Sequence, residues 1–163
     1  IKVIERQSDK RISEWQSNIA LLTVNVHINY LKSKFKRNKK IKLEYKNRND
    51  QEIYFNGDYE RLKQVFVNMI KNAYEAHANK IKISLHVHNE KVEILIQDNG
   101  DGIDKKDLNK IGELFYTTKS KGNGIGVCMS QEIIKLHQGF IKYSSKLGEG
   151  TTVKIILPVS FCF

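Results

Sequence analysis

Cysteine and proline are scarce in this 163-residue chain, with two of the first and one of the second. Cys128 and Cys162 lie far apart with no metal-ligand spacing. That excludes a zinc module and a disulfide framework, and it fits unpaired thiols in a reducing compartment. No apolar run approaches the roughly 20 residues of a membrane-spanning helix, and no signal-peptide pattern opens the chain. Internal repeats and low-complexity segments are absent. The first residue is Ile1, so the chain is expected to be a piece of a longer protein. The piece itself is expected to be cytoplasmic and monomeric; its parent could still be membrane-bound.

What is present is ordinary for a globular domain: 40% hydrophobic and 28% charged residues. The length suits one domain, or one domain with a short appendage. The net charge of +10 is unevenly placed. Residues 1–50 hold 13 Lys and Arg against 5 Asp and Glu, and the rest hold 15 against 13. A basic arm can meet nucleic acid, but no aromatic-interleaved basic motif accompanies it. A solvated helix face is the preferred reading, and no nucleic-acid partner is expected.

Ile12, Trp15, Ile19, Leu22, Val26, Leu31 and Phe35 recur at helical spacing over 12–37. "IKLEYK" and "EIYF" read as short strands. Asp58 is placed to cap a helix running to about His77. Its buried stripe is Leu62, Val65, Phe66, Met69, Ile70 and Ala73. Its polar stripe is Gln64, Asn68, Asn72 and Glu75. "KIKISLHVH" and "KVEILIQD" alternate as strands around the turn "NEK". A polar stretch, 104–121, with a short helix follows. "GNGIG" opens a helix to about His137, and "QGFIKYSS" with "TTVKIILPV" closes the chain as a hairpin. This order predicts an α/β two-layer sandwich: a mixed, mostly antiparallel sheet with helices on one face.

Four segments carry chemistry. In "QDNGDGI" a strand ends at Asp98, whose carboxylate can accept from an exocyclic amine such as that of adenine. Gly100 and Gly102 permit close approach of a flat ligand or simply a tight turn. For the segment taken alone a connecting loop is the preferred reading; a calcium loop does not fit, because position 109 is Asn. In "KGNGIGV" the glycines precede a helix and could present N–H groups to phosphate. No Walker A, dinucleotide or protein-kinase signature accompanies them. Asn68 and Asn72 stand one helical turn apart, although asparagine is a poor helix former. Neutral carbonyl oxygens suit Mg²⁺ when phosphates supply the charge; a solvated stripe is the plain alternative. "LFYTTKSKG" reads as a hinge with a basic tip, where Lys119 or Lys121 could reach a phosphate, or as a loop anchored in the core by Phe115.

Taken in order, "NMIKNAYEA", "DNGDGI", "ELFYTTK", "GNGIGV" and "GEGTTV" resemble the asparagine, glycine and phenylalanine boxes of sensor histidine kinases. The resemblance covers about residues 54–159 and is greatest to the sporulation-type kinases of Bacillus-like bacteria. It implies the Bergerat ATP-binding fold, shared with gyrase, the mismatch-repair ATPase and the large heat-shock chaperone. It implies ATP and Mg²⁺ as ligands. Asn72 would be the chief Mg²⁺ ligand with Asn68 close by. Asp98 would bind the adenine amine, with Gly100, Gly102 and Ile103 shaping its pocket. Gly122, Gly124, Ile125 and Gly126 would form the phosphate wall and hinge, with Thr118 and Lys119 near the phosphates. Thr151 would help join Asp98 to adenine through water.

Three departures qualify the resemblance. Asn123 stands where the second glycine box usually has Thr. Glu75 stands where many members carry a basic residue toward phosphate, so lysines of the 114–122 segment are expected to substitute. None of His27, His77, His86, His88 and His137 has the acidic neighbour and downstream proline of a phosphoacceptor. His86 and His88 share a strand face without a third ligand, so no metal site is expected there.

The chain is therefore expected to be the ATP-binding catalytic part of a histidine protein kinase. Residues 1–18 would be a linker or the tail of a dimerisation hairpin, and 19–163 the catalytic domain. Its partners would be a dimerisation and phosphoacceptor domain and a response regulator. The alternatives are an anti-sigma-type serine kinase, another ATPase of the same fold, or a degenerate nucleotide-binding scaffold.

Overall fold

The structure, a computed structural model, describes residues 42–47, 57–117 and 122–158, with the backbone alone at 42–47 and Tyr59. The expected helix over 12–37, the strand "EIYF", the boundary at residue 18, Thr118, Lys119, Lys121 and Cys162 lie outside the described residues.

The described elements are β1 (Lys42–Asn47), α1 (Tyr59–Glu75), β2 (Lys80–His88), β3 (Lys91–Asp98), α2 (Lys105–Leu108), α3 (Gly126–Leu136), β4 (Phe140–Lys146) and β5 (Gly150–Pro158). The strands form one sheet in the order β1-β2-β3-β5-β4. β1 runs parallel to β2, and every other pair is antiparallel. This is the mixed, mostly antiparallel sheet that the sequence predicts.

Helix α1 starts where its sequence says. The Asp58 carboxylate accepts from Arg61 N–H at 3.1 Å, satisfying one donor of the first turn. The predicted stripe of Leu62, Val65, Phe66, Met69, Ile70 and Ala73 is entirely buried. It packs with Ile81, Ile83 and Leu85 of β2, Val92, Ile94 and Ile96 of β3, Val153, Ile155 and Leu157 of β5, and Ile133 and Ile134 of α3. Each of these three strands buries alternate residues, as a sheet with helices on one face requires. Full burial of each such aliphatic side chain contributes about 1.5–3 kcal/mol.

The β2–β3 turn is tight. Asn89 and Glu90 take φ of 47° and 57°, the left-handed pair that a two-residue hairpin of this twist needs.

Both helices are joined by polar contacts as well as by the core. The His137 ring, just past α3, accepts the Asp58 N–H at Nε2 (2.8 Å). Its Nδ1 lies 2.7 Å from the Ile133 carbonyl and donates to it. Gly57 leaves room for the ring: a Cβ there would sit 2.9 Å from its Cδ2 atom.

One of the two readings of the 114–122 segment is overturned. Phe115 does not anchor its loop in the core; it is 68% exposed with φ of 66°. The backbone of Gly124 passes so close that a Cβ would fall 2.3 Å from the Phe115 carbonyl carbon. That close crossing leaves no room for a side chain at position 124. Tyr116 takes the anchoring part, its hydroxyl donating to Asp107 at 2.7 Å. The hydrogen bond to that carboxylate pushes the Tyr116 pKa up to about 12.

Candidate functional site

The end of β3 is the first fixed point. β3 pairs with β5 up to Gln97↔Thr152. The next residue, Asp98, therefore meets the start of β5. Its Oδ1 accepts two backbone N–H groups, from Gly100 at 2.8 Å and Thr151 at 3.2 Å. Its Oδ2 has no hydrogen-bond partner among the described residues. Burial raises the pKa of Asp98, and the two N–H bonds partly oppose that rise. One oxygen is thus spent on holding the side chain, and the other is left to accept from a ligand.

The glycines around Asp98 are required by the crossing of the backbone. A Cβ on Gly100 would lie 2.4 Å from the Ala76 carbonyl oxygen. Gly102 has φ of 71°, and its Cβ would lie 2.0 Å from the Lys146 carbonyl oxygen. Gly150 has φ of 99° and its Cβ would strike the Asp98 carbonyl oxygen. Ile103 N–H donates to Ser145 Oγ at 2.9 Å. Ser145 Oγ also bonds to the Gly150 carbonyl at 2.8 Å and lies 2.9 Å from Thr151 Oγ1. Thr151 thus reaches Asp98 through its main chain and Ser145 through its hydroxyl.

The 98–103 loop is fastened to the far end of α1. Asp101 N–H donates to the Ala76 carbonyl at 2.8 Å. Asp101 Oδ2 lies 2.6 Å from His77 Nδ1. Asn99 Oδ1 accepts from the N–H groups of Asn79 and Lys80.

The second fixed point is the start of α3, against an earlier part of α1. Asn68 Nδ2 donates to Ser130 Oγ at 3.0 Å, and Ser130 Oγ donates to the Gly126 carbonyl at 2.8 Å. Gly124, with φ of 66°, and Ile125 lead into this turn. Asn123 Oδ1 is 3.4 Å from the Ile125 N–H. Gly122 is exposed.

Helix α1 sets the distance between the two fixed points. Asn68 touches the glycine segment and Ala76 touches the Asp98 loop, eight residues on. At 1.5 Å per residue that separates them by about 12 Å. Asn72, half-buried, stands midway on the helix. Glu75 pairs with Lys71 at 3.7 Å.

The sequence reading named Asp98, Gly100, Gly102, Ile103 and Thr151, which come together, and Asn68, Gly124, Ile125 and Gly126, which come together separately. It missed Ser130 and Ser145. Both are serines whose partners are distant in sequence, and no local pattern marks them. It also missed Gly150 as the glycine that lets β5 start against Asp98; "GEG" is its only local sign.

Among the described residues, no group of three or more His, Cys, Asp or Glu could hold a metal ion. His86 and His88 stack with ring centroids 5.4 Å apart. No helix of the described residues is long and apolar enough to cross a membrane.

Comparison with known proteins places this geometry. The chain is 44% identical over 108 residues to sporulation kinase A of Bacillus subtilis, covering 65% of this chain and 18% of that protein. It is 43% identical over 108 residues to the signal transduction histidine-protein kinase AtoS of Escherichia coli, covering 64% of this chain and 18% of that protein. The chain thus spans about a fifth of the length of these relatives. A nucleotide-free catalytic domain of histidine kinase ThkA superposes with a TM-score of 0.72 at 28% identity, covering 83% of this chain and 92% of that one. The mycobacterial sensor histidine kinase MprB shares the fold, with a TM-score of 0.71 at 21% identity. Residues 57–160 match the family described as histidine kinase-, DNA gyrase B- and HSP90-like ATPase. The chain belongs to that ATPase family, and its homologues include the sporulation kinases and other sensor histidine kinases.

Proposed function

We propose that the chain binds ATP with Mg²⁺ and donates the γ-phosphoryl to a histidine on a dimerisation domain, for relay to a response regulator. The spacing of two fixed points along α1 carries this reading. The Asp98 loop meets Ala76, the glycine segment meets Asn68, and Asn72 lies between them. A base with an exocyclic amine would sit at Asp98 Oδ2, and the phosphates would run along α1 toward Gly124, Ile125 and Gly126.

The donor set suits the ligands. Asp98 Oδ2 offers an acceptor to the adenine amine. Gly100, Gly102 and Ile103 form the loop around it, and Thr151 holds the carboxylate. Asn72 would supply a neutral oxygen to Mg²⁺, with Gly122 at the edge of the phosphate wall. When bound, the metal would neutralise phosphate charge in the transfer. Thr118 and Lys119 belong to the proposed phosphate contacts by resemblance alone. The acceptor histidine, its acidic neighbour and the regulator would lie on other domains, with 1–18 as linker or hairpin tail and 19–163 as the catalytic domain.

The test is nucleotide-dependent thermal stability. ATP with Mg²⁺ should raise the melting temperature of the chain, and Asn72→Ala should remove the Mg²⁺-dependent part of that rise. A wild-type melting curve unmoved by saturating ATP, with or without Mg²⁺, would contradict this reading and favour a degenerate scaffold that binds only a partner protein.

A further inference from the structure

We infer that Asn68 acts on the bound nucleotide as a positioning residue, through Ser130, by holding the Gly124–Gly126 wall in place, and not as a ligand of the metal. The inference rests on the reading of the site as an ATP pocket and assigns Asn68 a part within it.

Ser130 is the one buried polar side chain among the described residues, 2% exposed. A buried hydroxyl is costly unless its hydrogen-bonding capacity is used. Here it is used in both senses. Its proton goes to the Gly126 carbonyl at 2.8 Å, a bond common within helices. Its oxygen accepts from Asn68 Nδ2 at 3.0 Å, and that bond crosses from α3 to α1, between residues 62 apart in sequence. The order of donors leaves no choice of amide orientation. Because the one serine proton is committed to Gly126, the Asn68 atom facing Ser130 must be its NH₂ group.

The other end of the same amide also faces the start of α3. A Cβ on Gly126 would fall 2.5 Å from Asn68 Oδ1 and 2.9 Å from Nδ2. The amide therefore lies against the Gly126 Cα. An amide nitrogen does not ligate Mg²⁺; only Oδ1 could, and Oδ1 lies over the first residue of α3, in the space that a Cβ on Gly126 would take. Asn68 thus turns both ends of its amide toward α3, with Nδ2 bonded to it. Asn72, one turn further, is left as the metal's asparagine.

Isothermal titration of the whole chain separates the two roles. The ligands are ATP with Mg²⁺, and ADP in EDTA. The proteins are wild type, Asn68→Ala, Ser130→Ala and the double variant. The expected result is that each single variant weakens both ligands by roughly three- to ten-fold, the effect of one hydrogen bond. The double variant should be no weaker than Asn68→Ala. A metal ligand would behave otherwise: Asn68→Ala would weaken ATP–Mg²⁺ and spare metal-free ADP, and Ser130→Ala would spare both. That pattern, or a fully additive double variant, overturns the inference. If Ser130→Ala lacks the native near-UV spectrum, Ser130→Cys replaces it, since a thiol fills the site but is a weak hydrogen-bond partner. Loss of affinity for both ligands in Ser130→Cys supports the inference, and unchanged affinity overturns it. Failure of the wild type to bind either nucleotide would overturn the ATP reading itself, and the Asn68 role with it.

Discussion

Thr151 donates its backbone N–H to Asp98 Oδ1 at 3.2 Å, across 53 positions of sequence. Pairing of β3 with β5 makes that contact, and Gly150 makes it sterically possible. The carboxylate is thereby fixed by backbone groups that no side-chain substitution removes. What remains variable at this position is the free oxygen, Oδ2.

Asp98→Asn should therefore separate stability from binding. The asparagine carbonyl can still accept from Gly100 and Thr151, while its NH₂ group replaces the free acceptor. The variant should melt at or above the wild-type temperature at neutral pH and lose at least roughly ten-fold in ATP affinity, about 1.4 kcal/mol. Differential scanning calorimetry and titration with ATP check the two parts. A large loss of stability with ATP affinity intact would contradict the assignment.

The raised pKa of Asp98 gives this comparison a pH dependence. A carboxyl whose pKa is higher folded than unfolded binds its proton more tightly in the fold. Its stabilising contribution is full below the unfolded value and is lost as pH rises through the folded value. The melting advantage of Asp98→Asn over wild type should accordingly grow as pH rises through that window and level off above it. ATP affinity of the wild type should rise over the same window, because acid protonates the acceptor. Parallel melting curves at every pH would refute the first part.

Gly102→Ala should destabilise the fold by about 2–4 kcal/mol, from a left-handed backbone and a collision with the Lys146 carbonyl. Urea denaturation reads this without any nucleotide. An unchanged midpoint would mean that the loop can move away from β4, and that this glycine serves the ligand alone.

Glu90→Gly tests the β2–β3 turn. Glu90 holds φ of 57°, where a side chain costs about 1 kcal/mol and glycine does not. The variant should gain up to about that much stability, seen as a higher urea midpoint. Since Glu90 is exposed and remote from Asp98 along β3, ATP affinity should not change. A lower midpoint would contradict the turn geometry.

Local signals made much of this structure legible. The helical spacing of Leu62 through Ala73, the cap at Asp58 and the alternation of β2 and β3 all follow from contacts within a few residues. The order of the strands does not. β5 lies between β3 and β4, and β1 runs parallel to β2; the alternation in each strand is the same whichever neighbour it pairs with. The site divides in the same way. Asp98 and the glycines stood out because strand ends and glycine runs are visible in one dimension. Ser130 and Ser145 did not, since a serine gains meaning only from a partner such as Asn68 or Ile103. The core-anchor reading of Phe115 fails for a related reason: its hydrophobicity argues for the core, but it is exposed with a left-handed backbone beside Gly124.

The most direct measurement is the affinity of the chain for ATP against GTP in Mg²⁺, by titration calorimetry. In the proposed site the free oxygen of Asp98 would accept from the adenine amine and would face a carbonyl oxygen in guanine, an acceptor set against an acceptor. The account predicts binding of ATP with a preference over GTP of at least roughly ten-fold, reduced in Asp98→Asn. Equal affinity for the two nucleotides, or binding of neither, would contradict it.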